Sequence, residues 1–568
     1  MIKQRIAIVG GGPSALFMFK RLIESGEHQF SIDIFERKSQ LGMGMPYSPE
    51  GANIEHITNV SGNEIPSIVT PVSEWVKTLP KDTLSRFNID SANFNDYKVL
   101  PRLLFGEYLS AQFKKLLDQS KELNIPVRVH YETAINDIRD VKNAVEIMNA
   151  EEWLTFDKVV VCTGHNWPKK HEGIVPGYFD SPYPPQKISK KFDHPICIKG
   201  SSLTAVDAVR SISRKNGEFQ RKENGKLSFI KNDDATDFSL HLHTRKGFLP
   251  AVRFHLEDTH LRNDSLLTSD EVSTHIKENG GFLSLDYFFE KDFKSVFMEK
   301  DPAFYERIKF MTVEEFVEDM MKLREKLDAF QLLKAEYAEA EKSIERQQSI
   351  YWKEMLGVLS FAINYPAKYL SAEDMQRLQK SLLPLISLVI AYIPQSSAEE
   401  LIALHDAGLL ELISVGDASE VEISESGGVT YHYTTEEGTK VSTSFKTFID
   451  CVGQPHLSYG DFPFESMLKD KTISPAKLRF SSANAAIQAI SEGNSSVCLG
   501  SDGEYYLTVQ GIAINDCFQV VDEYGAYNDR IYIMAVPYMG GYNPDYSGLD
   551  FCEAASLAIV KSLFPTHD

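Results

Sequence analysis

A glycine-rich turn near the amino end of the sequence constrains the fold more than any other feature. A short apolar run ends at Val9 and is followed by Gly10-x-Gly12-x-x-Ala15 and a helical pattern of apolar residues. Gly10 permits a tight turn, Gly12 lets a pyrophosphate approach the helix amino end, and Ala15 allows close helix–strand packing. A second apolar run leads to Glu36, whose carboxylate can accept hydrogen bonds from ribose hydroxyls. The segment therefore predicts a strand–helix–strand unit that binds a dinucleotide.

The chain repeats this plan further along. Residues 194–199 form a second short apolar run, and Gly200-x-Ser202-x-x-Ala205 and a helical pattern follow it. The next predicted strand spans residues 238–243. A repeated strand–turn–helix–strand unit indicates two nucleotide-binding domains.

Both units close with a distant apolar strand that ends in glycine, at Gly164 in the first and Gly453 in the second. An alternating, β-rich stretch precedes each closing strand. These patterns predict an α/β fold with two Rossmann-like domains, each of three-layer ββα architecture, and a helical insertion. The predicted bounds are 1–165 and 454–568 for the first domain, 195–300 and 395–453 for the second, and 301–394 for the insertion.

The two units differ at the end of their second strand. The first has the acid Glu36, followed by Arg37, and the second has Arg245 and Lys246. An acid at this position suits free ribose hydroxyls, whereas an arginine accommodates a 2′-phosphate. We therefore expect FAD in the first unit and NADP in the second, with NAD as the alternative if the basic pair is only solvated.

The predicted insertion carries helix-start signals. Thr312 with Glu315, and Ser397 with Glu400 just beyond it, form S/T-x-x-E patterns before apolar helical runs. We expect a helical subdomain that covers the junction of the two nucleotide domains. A solvated scaffold or a dimerisation surface is the alternative.

Charge and cysteine usage restrict the partners. The formal net charge of -21 argues against a nucleic-acid groove, which needs clustered Lys and Arg. The six cysteines are scattered singly, and His241 and His243 share a strand face without an acid or Cys partner nearby, so no metal site is predicted. A small-molecule substrate is the expected partner, and homo-oligomerisation stays open.

Apolar stretches in the sequence are short. The first is too short for a signal-peptide core, and the stretch 382–393 contains Pro384 and is too short to span a bilayer. We expect no membrane contact and a cytoplasmic location.

The sequence resembles the two-dinucleotide-binding flavoprotein superfamily, and within it the bacterial FAD-NAD(P)-binding protein family related to flavin monooxygenases. The matching segments are 10–15 (GGGPSA), 41–48 (LGMGMPYS), 56–60 (HITNV), 100–109 (LPRLLFGEYL), 159–165 (VVVCTGH), 199–208 (KGSSLTAVDA), 244–250 (TRKGFLP) and 397–412 (SAEELIALHDAGLLEL).

The resemblance implies further roles. A loop carrying Gly42 and Gly44 would lie over the flavin or its phosphates, and Arg102 would hold FAD or its loop, with a purely structural Arg102 as the alternative. His165 would line the domain junction, although a lone histidine after a strand is more often structural. A helix beginning near Ser547 would point its amino end at the flavin. No catalytic residue is assigned, and the candidate cofactor-binding residues are Gly10, Gly12, Pro13, Ser14, Ala15, Glu36, Arg37, Gly44, Asn59, Arg102, Thr163, Gly164, Gly200, Ser202, Leu203, Thr204, Arg245, Lys246, Gly453, Ser547, Gly548 and Leu549.

Three functions are compatible with these patterns. The first is an FAD-dependent oxidoreductase in which NADPH reduces the flavin, with a monooxygenase reaction on a small organic substrate favoured. The second is a reductase without oxygen insertion, in which a dithiol mechanism is disfavoured because residues 15–25 contain no cysteine. The third is a non-catalytic protein that binds dinucleotides for structure or sensing.

Overall fold

The fold is described from a computed structural model, which places residues 4–165, 167–257, 266–454, 457–544 and 548–565. Its strands, in chain order, are β1 (Gln4–Val9), β2 (Phe30–Phe35), β3 (Ile57–Ser61), β4 (Val99–Pro101), β5 (Val127–His130), β6 (Asp137–Val141), β7 (Ala144–Met148), β8 (Trp153–Phe156), β9 (Lys158–Val161), β10 (Tyr178–Phe179), β11 (Pro195–Lys199), β12 (Gly217–Arg221), β13 (Leu227–Lys231), β14 (Ser239–Thr244), β15 (Leu410–Ser414), β16 (Glu420–Ile423), β17 (Val429–Thr434), β18 (Lys440–Phe445), β19 (Thr447–Asp450), β20 (Pro475–Arg479), β21 (Val497–Leu499), β22 (Tyr505–Ile512), β23 (Gln519–Val521) and β24 (Tyr527–Ile533).

The α-helices lie mostly between the parallel strands and in one long middle segment. In chain order they are α1 (Pro13–Glu24), α2 (Val72–Lys77), α3 (Lys81–Arg86), α4 (Arg102–Glu122), α5 (Leu203–Asn216), α6 (Ser269–Glu278), α7 (Leu285–Asp292), α8 (Phe297–Lys300), α9 (Pro302–Ile308), α10 (Val313–Lys326), α11 (Ala329–Arg346), α12 (Tyr351–Ala362), α13 (Ala372–Arg377), α14 (Leu383–Ile390), α15 (Gln395–Asp406), α16 (Glu465–Lys469), α17 (Ala483–Ser491) and α18 (Gly548–Leu563). Among the described residues, no helix is long and apolar enough to cross a membrane.

The first nucleotide domain is built on a six-stranded sheet of order β23-β24-β9-β1-β2-β5, parallel except for β23. Ile6, Ala7 and Ile8 of β1 are fully buried, because helices cover one face of the sheet and the β6–β8 meander covers the other. On the helical face, α1 packs against both α4 and α18. The layers are therefore meander, sheet and helices.

The second nucleotide domain repeats this arrangement. Its sheet has the order β10-β19-β11-β14-β15, with every pair parallel. Strand β11 occupies the place of β1, with β19 in the place of β9 and β14 in the place of β2. The meander β16–β18 covers one face, and α5 packs with α15 on the other. The α/β fold with two Rossmann-like units and a helical middle region is confirmed.

The middle helices begin earlier than the predicted residue 301. Helix α6 starts at Ser269, because Thr268 accepts a hydrogen bond from the Glu271 backbone and the Glu271 carboxylate reaches back to Thr268. The same motif at Thr312 and Glu315 starts α10, as predicted. Most of these helices share a core with β20–β22, whereas α11 packs on the second nucleotide domain. The middle segment thus contacts both halves of the molecule.

The predicted helix start at Ser397 is wrong. Helix α15 begins two residues earlier, at Gln395 after Pro394, and Ser397 is buried inside it. Glu400 does not cap the helix, because its carboxylate binds the guanidinium groups of Arg210 and Arg214 on α5. The S/T-x-x-E pattern, which is typical of a helix cap, here supplies the acid that binds α15 to α5.

Candidate functional site

The two glycine turns have the same backbone geometry. Gly10 has φ +108° and Gly200 has φ +109°, in the left-handed region that disfavours side chains. A Cβ on Gly10 would lie 2.6 Å from the Cys162 carbonyl oxygen, and a Cβ on Gly200 would lie 2.8 Å from that of Cys451. Each turn is therefore packed against the end of its closing strand, where only glycine fits.

A helix amino end follows each turn. Gly12 is the N-cap of α1 and Ser202 is the N-cap of α5, and both have extended backbone angles. In these two described helices the first turn contains no acidic residue. A helix amino end carries amides without intrahelical acceptors and the positive end of the helix dipole, so both sites are suited to a phosphate group. The predicted residues in these first turns are Pro13, Ser14, Ala15, Leu203 and Thr204.

Glu36 lies against the Gly10 turn. One oxygen of its buried carboxylate accepts a hydrogen bond from the Gly11 amide at 2.7 Å, and the other accepts from the Lys38 amide at 2.8 Å. The carboxylate is thereby fixed at the carboxyl end of β2, as the sequence predicts for a ribose-binding acid. Arg37 beside it is exposed.

In the second unit, Thr244 takes the position of Glu36. The Gly200 amide donates to the His243 carbonyl at 2.8 Å. In the first unit the Gly10 amide donates at the same distance to the carbonyl of Phe35, the last residue of β2. The residue after His243 is Thr244, and Arg245 follows with 82% of its side chain exposed. The sequence did not indicate Thr244, because it does not show which residues of the two second strands are equivalent. The hydrogen bonds of the two glycine turns show it.

The loop that carries Gly42 and Gly44 lies over the first turn. The Gly42 amide donates to the Gly11 carbonyl at 2.7 Å. Gly44, with φ +59°, lies so close that a Cβ on Gly12 would be 3.3 Å from its Cα. The placement of this loop next to the helix amino end agrees with the resemblance.

Two buried polar atoms beside the Gly10 turn have no partner among the residues that the structure describes. Thr163 Oγ1 and His165 Nδ1, just beyond β9, make no hydrogen bond with any residue that the structure describes. Burial lowers the pKa of His165, although a hydrogen bond with Gln454 opposes this. Buried polar atoms in proteins are nearly always satisfied, so these two fit a bound polar group. Gly164 between them is exposed.

The segments that connect the two domains are tied together. Trp167 Nε1 donates to the Gly453 carbonyl at 3.2 Å. The Trp167 ring lies 5.5 Å from that of His165 and 5.4 Å from that of Tyr183. His165 therefore lies at the junction, as the sequence suggests.

Helix α18 places the carboxyl end of the chain beside the first turn. Ser14 Oγ lies 3.5 Å from Cys552 Sγ, one turn into α18. Gly548 is exposed with φ +74°, and Leu549 is buried. Ser547 lies outside the described residues. Burial and the nearby Glu64 carboxylate raise the pKa of Asp550, in the first helical turn of α18, to about 7.

Arg102 binds a carboxylate on α5, and its predicted role toward FAD or the FAD loop stays a prediction. Its guanidinium binds both carboxylate oxygens of Asp207 on α5, at 2.5 and 3.1 Å. Asn59 also faces another domain, since its carbonyl accepts a hydrogen bond from Arg253. Both predicted FAD residues therefore contact the part of the chain between the two halves of the first domain. The sequence alone gave no signal for these long-range pairs.

An open groove of about 590 Å³ lies at the opposite edge of the first sheet. Gln4 and Lys158 line it, at the amino ends of β1 and β9. Ligands of open parallel sheets bind at the carboxyl ends of the strands, so this groove is not the dinucleotide site. No cluster of metal-ligating side chains occurs among the described residues.

Comparisons with known proteins agree with the predicted resemblance. Residues 7–166 match the FAD-NAD(P)-binding family, and residues 268–390 match the YdhS-like middle domain. The uncharacterized protein YdhS of Escherichia coli strain K12 is 28% identical over 473 residues, which cover 82% of this chain and 86% of that protein.

Two further similarities have described activities. A thiol-specific monooxygenase of Saccharomyces cerevisiae is 28% identical over 173 residues, covering 29% of this chain and 34% of that enzyme. The solved structure of an ornithine N-hydroxylase from Kutzneria sp. 744 aligns over 99% of this chain and 98% of its own, with TM-score 0.45 and 11% identity.

Proposed function

We propose, from the premise that residues 7–166 form an FAD-NAD(P)-binding domain, that this protein is an FAD-dependent oxidoreductase whose flavin is reduced by NADPH. The observation that carries the proposal is the matching backbone geometry of the Gly10 and Gly200 turns. Gly10 and Gly200 have the same φ, the same contact with a closing strand and the same helix beyond. Two such turns in one chain suit two dinucleotides.

The residues of the first turn fit FAD. The amino end of α1 would hold the pyrophosphate, Glu36 would bind ribose hydroxyls, and the unpartnered Thr163 and His165 atoms would face polar groups of the cofactor. When bound, the flavin supplies the hydride acceptor and the electron carrier. The chain's own groups bind and orient it and exclude water.

The first experiment is anaerobic reduction. Purified protein, reconstituted with FAD if necessary, should be yellow, and NADPH added under argon should bleach the visible flavin band. Protein that cannot take up FAD would contradict the proposal, and yellow protein that NADPH and NADH both leave unbleached would favour a non-catalytic dinucleotide-binding protein.

We expect Arg245→Ala to weaken NADPH binding by about 10- to 100-fold and NADH binding little. Thr244 replaces the ribose-binding acid, and Arg245, which is 82% exposed and has Asp417 at 4.0 Å as its ion-pair partner, can reach a 2′-phosphate. A hydrogen bond to a charged group contributes about 1.5–3 kcal/mol, which is about 10- to 100-fold in affinity. Titration of both nucleotides measures the ratio.

Lys222→Ala is the matched control for this substitution. Lys222 is an exposed base of the same domain, between β12 and β13, which follow the carboxyl end of α5. It should leave both affinities unchanged. Equal loss of NADPH and NADH binding in Arg245→Ala would remove the case for the phosphate.

Oxygen insertion into a small organic substrate is the favoured overall reaction. Similarity to a thiol-specific monooxygenase over 173 residues supports it. The described thiols do not favour a dithiol reductase, because Cys162 and Cys552 beside the first turn are buried and burial raises the pKa of both. Thiolate is the reactive form, so a raised thiol pKa lowers reactivity.

Incubation with isotopically labelled oxygen separates the two oxidoreductase functions. The reduced protein is mixed with labelled oxygen and a panel of small amines, thiols and ketones, and products are analysed by mass spectrometry. A labelled product supports the monooxygenase. NADPH oxidation that proceeds at full rate without oxygen, with an alternative electron acceptor and no labelled product, favours the reductase.

A further inference from the structure

Polar side chains from both nucleotide domains meet at one buried carboxylate, that of Asp207. Asp207 is 4% exposed and lies in the second turn of α5, the helix that follows the Gly200 turn. Arg102, the first residue of α4 in the other domain, binds both of its oxygens. Burial opposes the ionised form of Asp207, but Arg102, His56 and the Tyr183 hydrogen bond together outweigh it and lower the pKa of the carboxyl.

A second group reaches the same carboxylate from the segment that connects the domains. The Tyr183 hydroxyl donates to Asp207 at 2.7 Å. The Tyr183 ring contacts Trp167, which is bonded to Gly453 of the returning connection. The carboxylate is thus bound both by the first domain and by the crossover between domains.

A second contact flanks this pair along α5. His56 Nε2 lies 3.2 Å from the Asp207 carbonyl oxygen and 3.0 Å from Ser211 Oγ. Ser211 Oγ donates to the Glu55 carboxylate at 2.6 Å. Two successive turns of α5 are therefore bonded to the 55–57 segment of the first domain, which also holds Arg102 through the His56 and Ile57 carbonyls.

The contacts lie beside the predicted flavin site. Arg102 is close enough to Tyr47, in the loop over the first turn, to oppose the rise in the pKa of Tyr47 that burial causes. Gly106, one turn along α4, packs against the Tyr47 backbone. The Arg102–Asp207 pair therefore joins the flavin-side loop to the helix whose amino end would hold the nicotinamide dinucleotide.

We propose that Asp207 is a positioning residue, whose carboxylate, bound by Arg102 and Tyr183, fixes α5 and its Gly200 turn at the distance from the flavin loop that hydride transfer needs. This rests on the proposed function. The rate of hydride transfer depends steeply on geometry, since a displacement of the reacting groups by about 1 Å can lower the rate about 100-fold. We expect the second domain to stay docked without this pair, because Arg253 binds Glu64 and Ser61 of the first domain independently.

The test is anaerobic stopped-flow reduction of Asp207→Asn. The amide keeps the shape of the side chain but loses the charge that Arg102 binds. We expect the limiting rate of flavin reduction to fall about 10- to 100-fold, with FAD content and NADPH dissociation constant unchanged. Hydrogen exchange of the amides in residues 200–211, measured without nucleotide, should become faster.

Two controls accompany this variant. Asp406→Asn removes a surface carboxylate of the same domain that pairs with Lys226 and Lys334 at 2.7 Å, and it should reduce at the wild-type rate. Arg102→Met should match Asp207→Asn, and the double variant should be no slower than either, because all three break one pair.

The results separate this inference from the proposed function. If NADPH does not bleach the wild-type protein, the proposed function is overturned. The hydrogen-exchange rates of residues 200–211 then still show whether Asp207 holds α5 in place. Wild-type bleaching with an unchanged rate in Asp207→Asn overturns the positioning role alone. A higher NADPH dissociation constant at an unchanged limiting rate would assign Asp207 to nucleotide binding instead.

Discussion

Gly200→Val is expected to give a yellow protein that NADPH no longer bleaches. The valine Cβ would lie 2.8 Å from the Cys451 carbonyl oxygen at φ +109°, a conformation that a β-branched residue does not adopt, so the turn must open. The α5 amides would then lose their alignment on the pyrophosphate. Loss of two charged hydrogen bonds costs about 3 kcal/mol or more, which is roughly 100-fold or more in affinity.

Gly10→Val is the mirror variant. The same clash, with the Cys162 carbonyl at 2.6 Å, should prevent FAD uptake. The paired measurements are flavin content by absorbance and NADPH binding by calorimetry, each on protein whose folding is checked by circular dichroism. Retention of FAD by Gly10→Val, or NADPH reduction of Gly200→Val at the wild-type rate, would contradict the assignment of the corresponding turn.

Arg253→Ala is expected to lower the free energy of unfolding by about 3–5 kcal/mol, because it leaves the Glu64 carboxylate buried without its counter-charge. Arg253 is 4% exposed and donates to Ser61 Oγ at 2.7 Å, to the Asn59 carbonyl and to Glu64. The Tyr392 hydroxyl donates to the other Glu64 oxygen at 3.0 Å. Denaturant unfolding monitored by circular dichroism measures the change.

The pH dependence of stability gives the same pair a second signature. Burial alone would raise the pKa of Glu64, but Arg253 and Ser61 outweigh it and lower the pKa below the ordinary glutamate value of 4.5. The folded state therefore binds fewer protons than the unfolded state, and the stabilisation is present above pH 4.5 and lost as the pH falls through the folded pKa. Glu64→Gln should flatten this acid limb.

Arg377→Ala is the control for the buried pair. Arg377 binds Asp286, Glu314 and Asp374, but its side chain is 31% exposed. Partly exposed ion pairs contribute about 0–1 kcal/mol each, so the three together should cost less than the buried pair. Equal destabilisation by Arg253→Ala and Arg377→Ala would show that burial does not set the cost.

The parts of the site that a local pattern encodes could be predicted from the sequence. The Gly10 and Gly200 turns follow from a strand, a spacing and a helix within about 20 residues, and Glu36 lies where the first of these patterns places it. The start of α10 at Thr312 follows from its capping pattern. Local backbone requirements restrict these positions strongly.

Contacts between distant segments could not be predicted in this way. Arg102 and Asp207 are 105 positions apart, and nothing near either residue indicates the other. The Ser397 pattern misled because Glu400 was needed for Arg210 and Arg214, so tertiary contacts outweighed local propensity. Thr244 was missed for a third reason, since comparing two strand ends requires the hydrogen-bond register.

The pairing of β24 with β9 has a consequence for biosynthesis. Ile531 lies beside Val159, so the central sheet of the first domain is completed only after the ribosome has made residues 527–533. Domains generally fold as units while the chain emerges, and an unpaired strand edge invites aggregation. The second domain has all its strands by residue 450 and can fold first. The nascent chain therefore has β9 without its β24 neighbour while the intervening residues are translated, and one edge of β9 stays unpaired during that interval.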